Sequence, residues 1–190
     1  RSGAAGTLRK ARRDGDASAD AAIRGTADLF DYVRSNPDNA DGRVAAVVSP
    51  RFIPSCTDAT LRGLGALARE LGCHVQTHCS EGDWEHRYVI ERFGRTDTEC
   101  LDMFGLLGRK SMLGHAPHLT LRDMDIFRAR GSAVSHCPLS NAYFSSAVFP
   151  LRFALERGLH VSLGTDISGG PSSSMFEAMR ESIAASRMLE

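Results

Sequence analysis

The chain has 190 residues, 42% of them hydrophobic and 24% charged, which is typical of one globular domain with a sizeable core. Lysine plus arginine and aspartate plus glutamate both number 23, so the net charge indicates neither a nucleic acid nor an anionic membrane as a partner. Five cysteines without a CxxC pair argue against a disulfide framework and favour a reducing, cytoplasmic setting, and no apolar run predicts a membrane span.

Hydrophobic periodicity predicts alternating helices and strands after a loosely ordered lead-in over residues 1–17. Ser18 is typical of a helix N-cap, and a turn at 36–38 leads to a first strand over 44–48 that suits burial on both faces. The predicted elements that follow are a helix over 57–71, a strand over 73–78, helices over 84–93 and 97–107, a strand over 111–115, a helix over 120–130, a strand over 132–136, a helix over 147–157, a strand over 160–164 and a helix from Ser173 onward.

This succession of strands and helices predicts a parallel α/β fold of the (β/α)8 TIM-barrel type, with about five βα units present. A full barrel takes about 250 residues, so we expect residues 18–190 to form a partial barrel, with three strands outside this sequence. The chain begins with Arg1 and ends inside a predicted helix, which favours a piece of a longer polypeptide. An open five-stranded sheet is the alternative.

Polar residues gather at the carboxyl end of each predicted strand. The segments are Ser-Pro-Arg-Phe at 49–52, His-Cys-Ser-Glu at 78–81, Gly-His at 114–115, Ser-His-Cys-Pro at 135–138 and Gly-Thr-Asp at 164–166. The active site of an α/β barrel lies at that face. Five such segments in register predict a single functional site, because polar residues without a shared role would be scattered among the loops.

His78 and Asp166 are the candidate metal ligands in these segments. His78 can offer an imidazole nitrogen at a strand end, and Asp166 can offer a hard carboxylate oxygen. Glu81 follows His78 closely enough to carry a proton to or from a metal-activated water. His115 and His136 end two further strands, and either could bind the metal or orient the attacking water. For Asp166 a helix N-cap, and for His78 a bond to backbone, are the structural alternatives.

One expected feature of a zinc hydrolase is absent from the sequence. Catalytic zinc takes about three protein ligands and a water, and barrel hydrolases usually supply two of the ligands from an HxH motif on the first strand. No two of the seven histidines in this sequence are two residues apart. We therefore expect this chain to carry only part of a metal site.

Four segments together resemble the guanine deaminase family of amidohydrolases, over about residues 18–190. They are Thr-His-Cys-Ser-Glu-Gly-Asp-Trp-Glu-His at 77–86, Ser-His-Cys-Pro-Leu-Ser-Asn at 135–141, Gly-Thr-Asp-Ile-Ser-Gly-Gly at 164–170 and Ser-Pro-Arg-Phe at 49–52. The second and third of these occur widely among amidohydrolases. The Pro-Arg-Phe segment and the glycines after Asp166 are narrower and favour guanine.

The resemblance implies a role for each matching residue. His78 and Asp166 would bind Zn2+, and Asp166 would also take a proton from the attacking water. Glu81 would carry that proton to a ring nitrogen and then to the departing amine, and His115 would hold the water. The residues implied to contact the substrate are Arg51, Phe52, His78, Glu81 and Asp166.

The activity that follows from the resemblance is hydrolysis of guanine to xanthine and ammonia, in purine catabolism or salvage, by a cytoplasmic homodimer. Iron could occupy the same ligands in place of zinc. Two alternatives remain open: a sibling amidohydrolase acting on another aminopurine, a pyrimidine or a triazine, and an inactive fragment that lacks the HxH ligands.

Overall fold

The computed structural model describes residues 19–144 and 147–189, so the predicted lead-in over 1–17 lies outside the described residues. The elements are α1 (Ala19–Ser35), β1 (Val47–Val48), α2 (Asp58–Leu71), β2 (His74–Cys79), α3 (Asp83–Phe93), α4 (Asp97–Met103), β3 (Ser111–His115), α5 (Leu121–Arg130), β4 (Ala133–His136), α6 (Pro138–Phe144), α7 (Leu151–Glu156), β5 (His160–Leu163) and α8 (Met175–Met188), with short 3-10 turns at Pro37–Asn39 and Ile53–Ser55. None of the helices in these ranges combines the length and the apolar character that crossing a bilayer requires.

All five strands form one parallel sheet in the order β1-β2-β3-β4-β5. Each strand pairs with the next one in the chain, and helices connect them, which is how a barrel wall is built from βα units. The prediction of a partial (β/α) barrel with about five units is therefore confirmed. In the register of this sheet, His78 lies opposite Gly114, and Gly114 lies opposite Ser135, so the polar strand ends meet at one edge.

Side-chain caps and glycines explain why the helices begin and end where they do. Thr120 and Asp123 form a capping box at the start of α5, each side chain accepting the other residue's backbone N–H. Gly72 and Gly131 end α2 and α5 in the left-handed conformation, with φ of 57° and 70°, which costs glycine no steric strain. These signals are local, and the predicted bounds of both helices agree closely with the structure.

Four elements differ from the prediction, and the first is α4, which was expected over 97–107 and ends at Met103. The strand expected over 44–48 is reduced to two residues, because β1 lies at the sheet edge and pairs only with the start of β2. The helix α6 was not predicted: Pro138 is its first residue, a position where the missing N–H of proline costs nothing. The helix expected over 147–157 is shortened to Leu151–Glu156, after Pro150.

The two faces of the sheet differ in burial. Val75, Leu113 and Val134 pack against the helices and are buried, whereas Gln76 and Met112, on the other face, are exposed, Met112 by 40%. Alternate residues of a strand point to opposite faces, and within the described ranges no element covers the second face. Burial on both faces is the expectation for the strand over 44–48, and it is not met there, since Val44 is exposed although Val48 is buried.

Candidate functional site

A cavity of about 460 Å³ opens at the carboxyl ends of the strands and along the uncovered face of the sheet. It is bordered by residues from all five predicted polar segments and from the strands below them. The lining residues are Ser49, Pro50, Arg51, Gln76, Thr77, His78, Met112, Gly114, His115, Ser135, Cys137, Gly164 and Asp166.

Strained backbone is concentrated beside this cavity. Ser80, His115, Ala116, Asp166 and Ser168 are the non-glycine residues of the described ranges with positive φ, between 44° and 80°. Ser80, His115 and Ala116 end or directly follow a strand, and Asp166 and Ser168 lie in the loop after β5. Such conformations cost about 1–3 kcal/mol each and persist only where the surroundings enforce them. The backbone at these strand ends is thus held in place to orient particular side chains.

The backbone carbonyl of Arg51 fixes the orientation of the His78 ring. The oxygen accepts the Nδ1–H of His78 at 2.6 Å and also the backbone N–H of His78 at 3.1 Å. A carbonyl oxygen only accepts, so the Nδ1 nitrogen carries the proton and Nε2 keeps its lone pair. This is the arrangement that presents a neutral imidazole to a metal ion.

His115 is oriented in the same way by a side chain from α6. Its Nδ1 lies 2.9 Å from Oδ1 of Asn141, while its Nε2 lies 3.8 Å from Oε1 of Glu81. The ring is 2% exposed and stacks on His78, with ring centroids 5.3 Å apart and planes inclined by 15°. Both histidines therefore direct an Nε2 atom away from a hydrogen-bonded Nδ1.

His78, Glu81 and His115 bring ligand atoms together. One ring nitrogen from each histidine and one carboxylate oxygen of Glu81 lie within 4.8 Å of one another. Two imidazoles and a carboxylate form a donor set that zinc accepts in proteins, so the residues present fit a zinc ion. The residue pattern instead predicted His78 and Asp166 as ligands, gave Glu81 a role in proton transfer, and left His115 open as a ligand or as a group that orients the water.

Asp166 borders the same cavity but is not a member of this close group. Its carboxylate lies against Gly169, where an added Cβ would come within 2.7 Å of Oδ2. The backbone N–H of Gly169 also donates to the carbonyl of Asp166 at 2.9 Å. The glycines after Asp166 thus allow the loop to fold tightly around it, and a larger residue at 169 would displace the carboxylate.

The predicted substrate segment divides between the cavity and helix α3. Arg51 is exposed and borders the cavity, with its guanidinium carbon 5.2 Å from the centre of the Phe52 ring. Phe52 is not among the lining residues, and its ring centroid lies 6.0 Å from that of Trp84, the second residue of α3. Arg51 thus borders the cavity, whereas the ring of Phe52 lies against helix α3.

Two other histidines lie away from the cavity. His136 is buried with its ring 4.9 Å from Phe149, and burial, followed by the nearby His115, lowers its pKa to about 4. His118 stacks on His86 with ring centroids 5.2 Å apart. Neither ring belongs to the group of close ligand atoms.

Sequence reasoning assigned no role to two residues that support the site. Asn141 orients His115, and Glu85 accepts the backbone N–H of Glu81 at 2.9 Å. Asn141 stands in one of the motif segments, so its presence there was a usable signal. Glu85 follows Glu81 by four residues, a spacing at which side chains one helical turn apart can meet. Its burial could not be predicted from the sequence, because it depends on the packing of the fold.

Residues 15–190 match the family model described as amidohydrolase family. The probable guanine deaminase of Schizosaccharomyces pombe is 36% identical over 174 residues, covering 90% of this chain and 33% of the relative. The guanine deaminase of Homo sapiens is 33% identical over 149 residues, covering 77% and 33%. A crystal structure of guanine deaminase from C. acetobutylicum with bound guanine is similar with a TM-score of 0.81 at 28% identity, covering 88% of this chain and 40% of that one. The chain thus spans about a third of the length of the curated relatives it matches.

Proposed function

Because the chain belongs to the amidohydrolase family, we propose that it carries part of the active site of a hydrolase that converts guanine to xanthine and ammonia. The observation that carries this proposal is the contact between Arg51 and His78. It joins the residue suited to bind the base to a residue suited to bind the metal, on one cavity. The similarity to guanine deaminases supports the choice of guanine.

Zinc is the proposed metal, with His78 and Asp166 as its ligands in this chain. The free Nε2 of His78 and the two neighbouring ligand atoms of Glu81 and His115 support a site for such an ion. When bound, zinc supplies a water whose pKa falls to about 7, so that a nucleophile is available near neutral pH. Iron remains the alternative with the same ligands.

Arg51 is proposed to bind the base at the edge that carries O6 and N7. These are adjacent acceptors, and the planar fork of a guanidinium matches them with two parallel hydrogen bonds. Arg51 borders the cavity and is exposed, so its donors are available to a ligand. Held in this way, guanine would place its amino-bearing carbon at the opposite end, towards the metal ligands. The ring of Phe52 lies beside the guanidinium and would limit how the Arg51 side chain can move.

Proton transfer is assigned to Asp166 and Glu81. Asp166 would take a first proton from the attacking water as its oxygen bonds to the amino-bearing carbon, and Glu81 would deliver a proton to the adjacent ring nitrogen. The second proton of the water would pass to the amino group as the carbon–nitrogen bond breaks, so that ammonia leaves and a carbonyl remains. His115 would hold the water through Nε2, since Nδ1 is already committed to Asn141. His115 Nε2 and Glu81 Oε1 lie 3.8 Å apart, so both atoms could contact the same water molecule.

Two other functions remain candidates for the same residues. A sibling amidohydrolase would share His78, Glu81, His115 and Asp166, but a substrate without adjacent acceptors would have no use for Arg51. An inactive fragment is the second candidate, because the HxH motif is absent from this sequence. The cytoplasmic location and the homodimer remain predictions.

Zinc content and ammonia release from guanine, measured on the same preparation, test the proposal. About one zinc per chain and guanine turnover that Asp166→Ala abolishes would support the proposal. Asp28→Ala, which removes an exposed carboxylate on α1, serves as the control and should change neither quantity. A chain without zinc and without turnover would contradict the proposal for this polypeptide. Turnover of another aminopurine in preference to guanine would favour the sibling.

A further inference from the structure

Glu85 stands one helical turn from Glu81 and is almost completely buried, with 2% of its surface exposed. Its Oε2 accepts the backbone N–H of Glu81 at 2.9 Å. Ser80, just before Glu81, has a φ of 44°, so the chain turns sharply as it leaves β2. The hydrogen bond from Glu85 closes that turn from the helix side.

The position of this bond in the helix differs from that of an ordinary cap. In α4 the third residue, Glu99, accepts the N–H of the N-cap residue Thr96 at 3.1 Å. In α3 Glu85 is also the third residue and Gly82 is the N-cap, yet its carboxylate bonds one residue further back. The residue reached in this way is Glu81, whose side chain borders the two stacked histidines.

A second buried carboxylate, that of Asp97, lies close to Glu85. Oε1 of Glu85 and Oδ1 of Asp97 are both buried, and neither has a hydrogen-bond partner among the residues that the structure describes. Oδ2 of Asp97 is bound to Nδ1 of His86 at 2.7 Å. A proton shared by the two carboxyl groups would satisfy both free oxygens. In agreement, burial, and next the charge of Asp97, raise the pKa of Glu85 from 4.5 to about 8.

We propose that Glu85 is the positioning residue for Glu81: its hydrogen bond to the Glu81 backbone fixes the turn that directs the Glu81 carboxylate towards His78 and His115. The inference rests on the proposed deamination, in which Glu81 carries the proton. Glu85 is neither among the residues that line the cavity nor in the group of close ligand atoms. It acts on the reaction only through the direction in which Glu81 points.

The variants Glu85→Ala, Glu85→Gln and Glu99→Ala separate positioning from simple helix capping. Glu85→Ala removes the acceptor. Glu85→Gln keeps an oxygen for the Glu81 N–H and can donate to Asp97 from its amide nitrogen. Glu99→Ala removes the equivalent cap from α4, which makes it the matched control for loss of stability alone.

Steady-state ammonia release and amide hydrogen exchange of Glu81, observed by NMR, are the two measurements. For Glu85→Ala we expect kcat to fall by about 10²-fold with little change in KM, since a displacement of about 1 Å costs that much. The Glu81 amide should exchange faster in the same variant. Glu85→Gln should restore kcat and protection, and Glu99→Ala should leave both unchanged.

The two readouts distinguish failure of this inference from failure of the proposed function. If the wild-type chain releases no ammonia, the proposed function fails for this chain, and exchange at the Glu81 amide alone decides the role of Glu85. Equal protection of that amide in the wild type and Glu85→Ala would overturn the inference. An unchanged kcat in an active Glu85→Ala protein, or equal losses of kcat in Glu85→Ala and Glu99→Ala, would overturn it as well.

Discussion

The imidazole of His78 donates its Nδ1–H to the backbone carbonyl of Arg51 at 2.6 Å. Arg51 follows β1 and His78 lies in β2, so the contact joins two neighbouring strand ends. It uses the main chain of Arg51 and leaves the guanidinium exposed beside the cavity. One residue can therefore orient a metal-binding ring with its backbone and offer its side chain to a substrate.

This division of roles predicts that substitution of Arg51 weakens substrate binding but not metal binding. In Arg51→Ala we expect KM for guanine to rise by about 5- to 150-fold, the equivalent of the roughly 1–3 kcal/mol of a bidentate contact to guanine. The dissociation constant for Zn2+ should stay at its wild-type value, because the carbonyl remains. Steady-state kinetics and a zinc titration measure the two quantities.

Arg51→Lys is the companion variant for this prediction. Lysine keeps the positive charge but lacks the planar fork, so it should recover only a small part of the lost affinity. A fully active Arg51→Lys would show that charge alone suffices and would remove the geometric argument for guanine. A loss of zinc affinity in either variant would mean that the side chain also supports His78.

Much of the site's location could be predicted from the sequence, because strand ends in a parallel sheet share one edge. His78, His115 and Asp166 each follow a short β-branched or apolar run, and the fold brings all three to the same cavity. The orientation of their rings could not be predicted, since it depends on partners distant in sequence. Asn141 reaches His115 from a helix that begins at a proline, a residue more often associated with a turn.

Asn141 is predicted to control the tautomer of His115. Asn141→Leu removes the acceptor for Nδ1–H, and the ring would then be free to carry its proton on Nε2, the nitrogen that faces Glu81. We expect zinc affinity or turnover to fall by about 10- to 100-fold. Nitrogen-15 NMR of the imidazole identifies the tautomer directly. Asn141→Asp, which keeps an acceptor, should preserve the Nδ1-protonated form. A wild-type spectrum with the proton on Nε2 would contradict the assignment.

Two helical glycines are predicted to respond to alanine in opposite directions. Gly65 lies where α2 approaches the end of α4, and an added Cβ would overlap the carbonyl oxygen of Phe104. Gly65→Ala should therefore lower the free energy of unfolding by about 1–3 kcal/mol. Gly25 in α1 has nothing within 4 Å of an added Cβ, so Gly25→Ala should raise it by about 1 kcal/mol through helix propensity. Denaturant unfolding measures both changes, and a stabilising Gly65→Ala would show that the two helices can separate.

Glu85 is predicted to make the stability of the protein fall as pH rises from about 4.5 to about 8. Burial, and next the charge of Asp97, raise its pKa from 4.5 to about 8. Across that interval the folded chain keeps a proton that the unfolded chain releases, so folding loses at most about 1.4 kcal/mol per pH unit from this group. The contribution is complete below pH 4.5 and is lost as pH passes the folded-state value.

Comparison with Glu85→Gln isolates this contribution from those of other groups. The pKa of His86 is raised by its hydrogen bond to Asp97, so its contribution to the stability of the protein is also lost as pH rises. The pKa of His136 is lowered, so its contribution is lost as pH falls. Both histidines are present in each protein. The difference in free energy of unfolding, variant minus wild type, should therefore rise between pH 4.5 and 8 and be level on either side. A difference that does not vary with pH would mean that Glu85 is ionised in the folded protein. The inference that Glu85 and Asp97 share a proton would then be wrong.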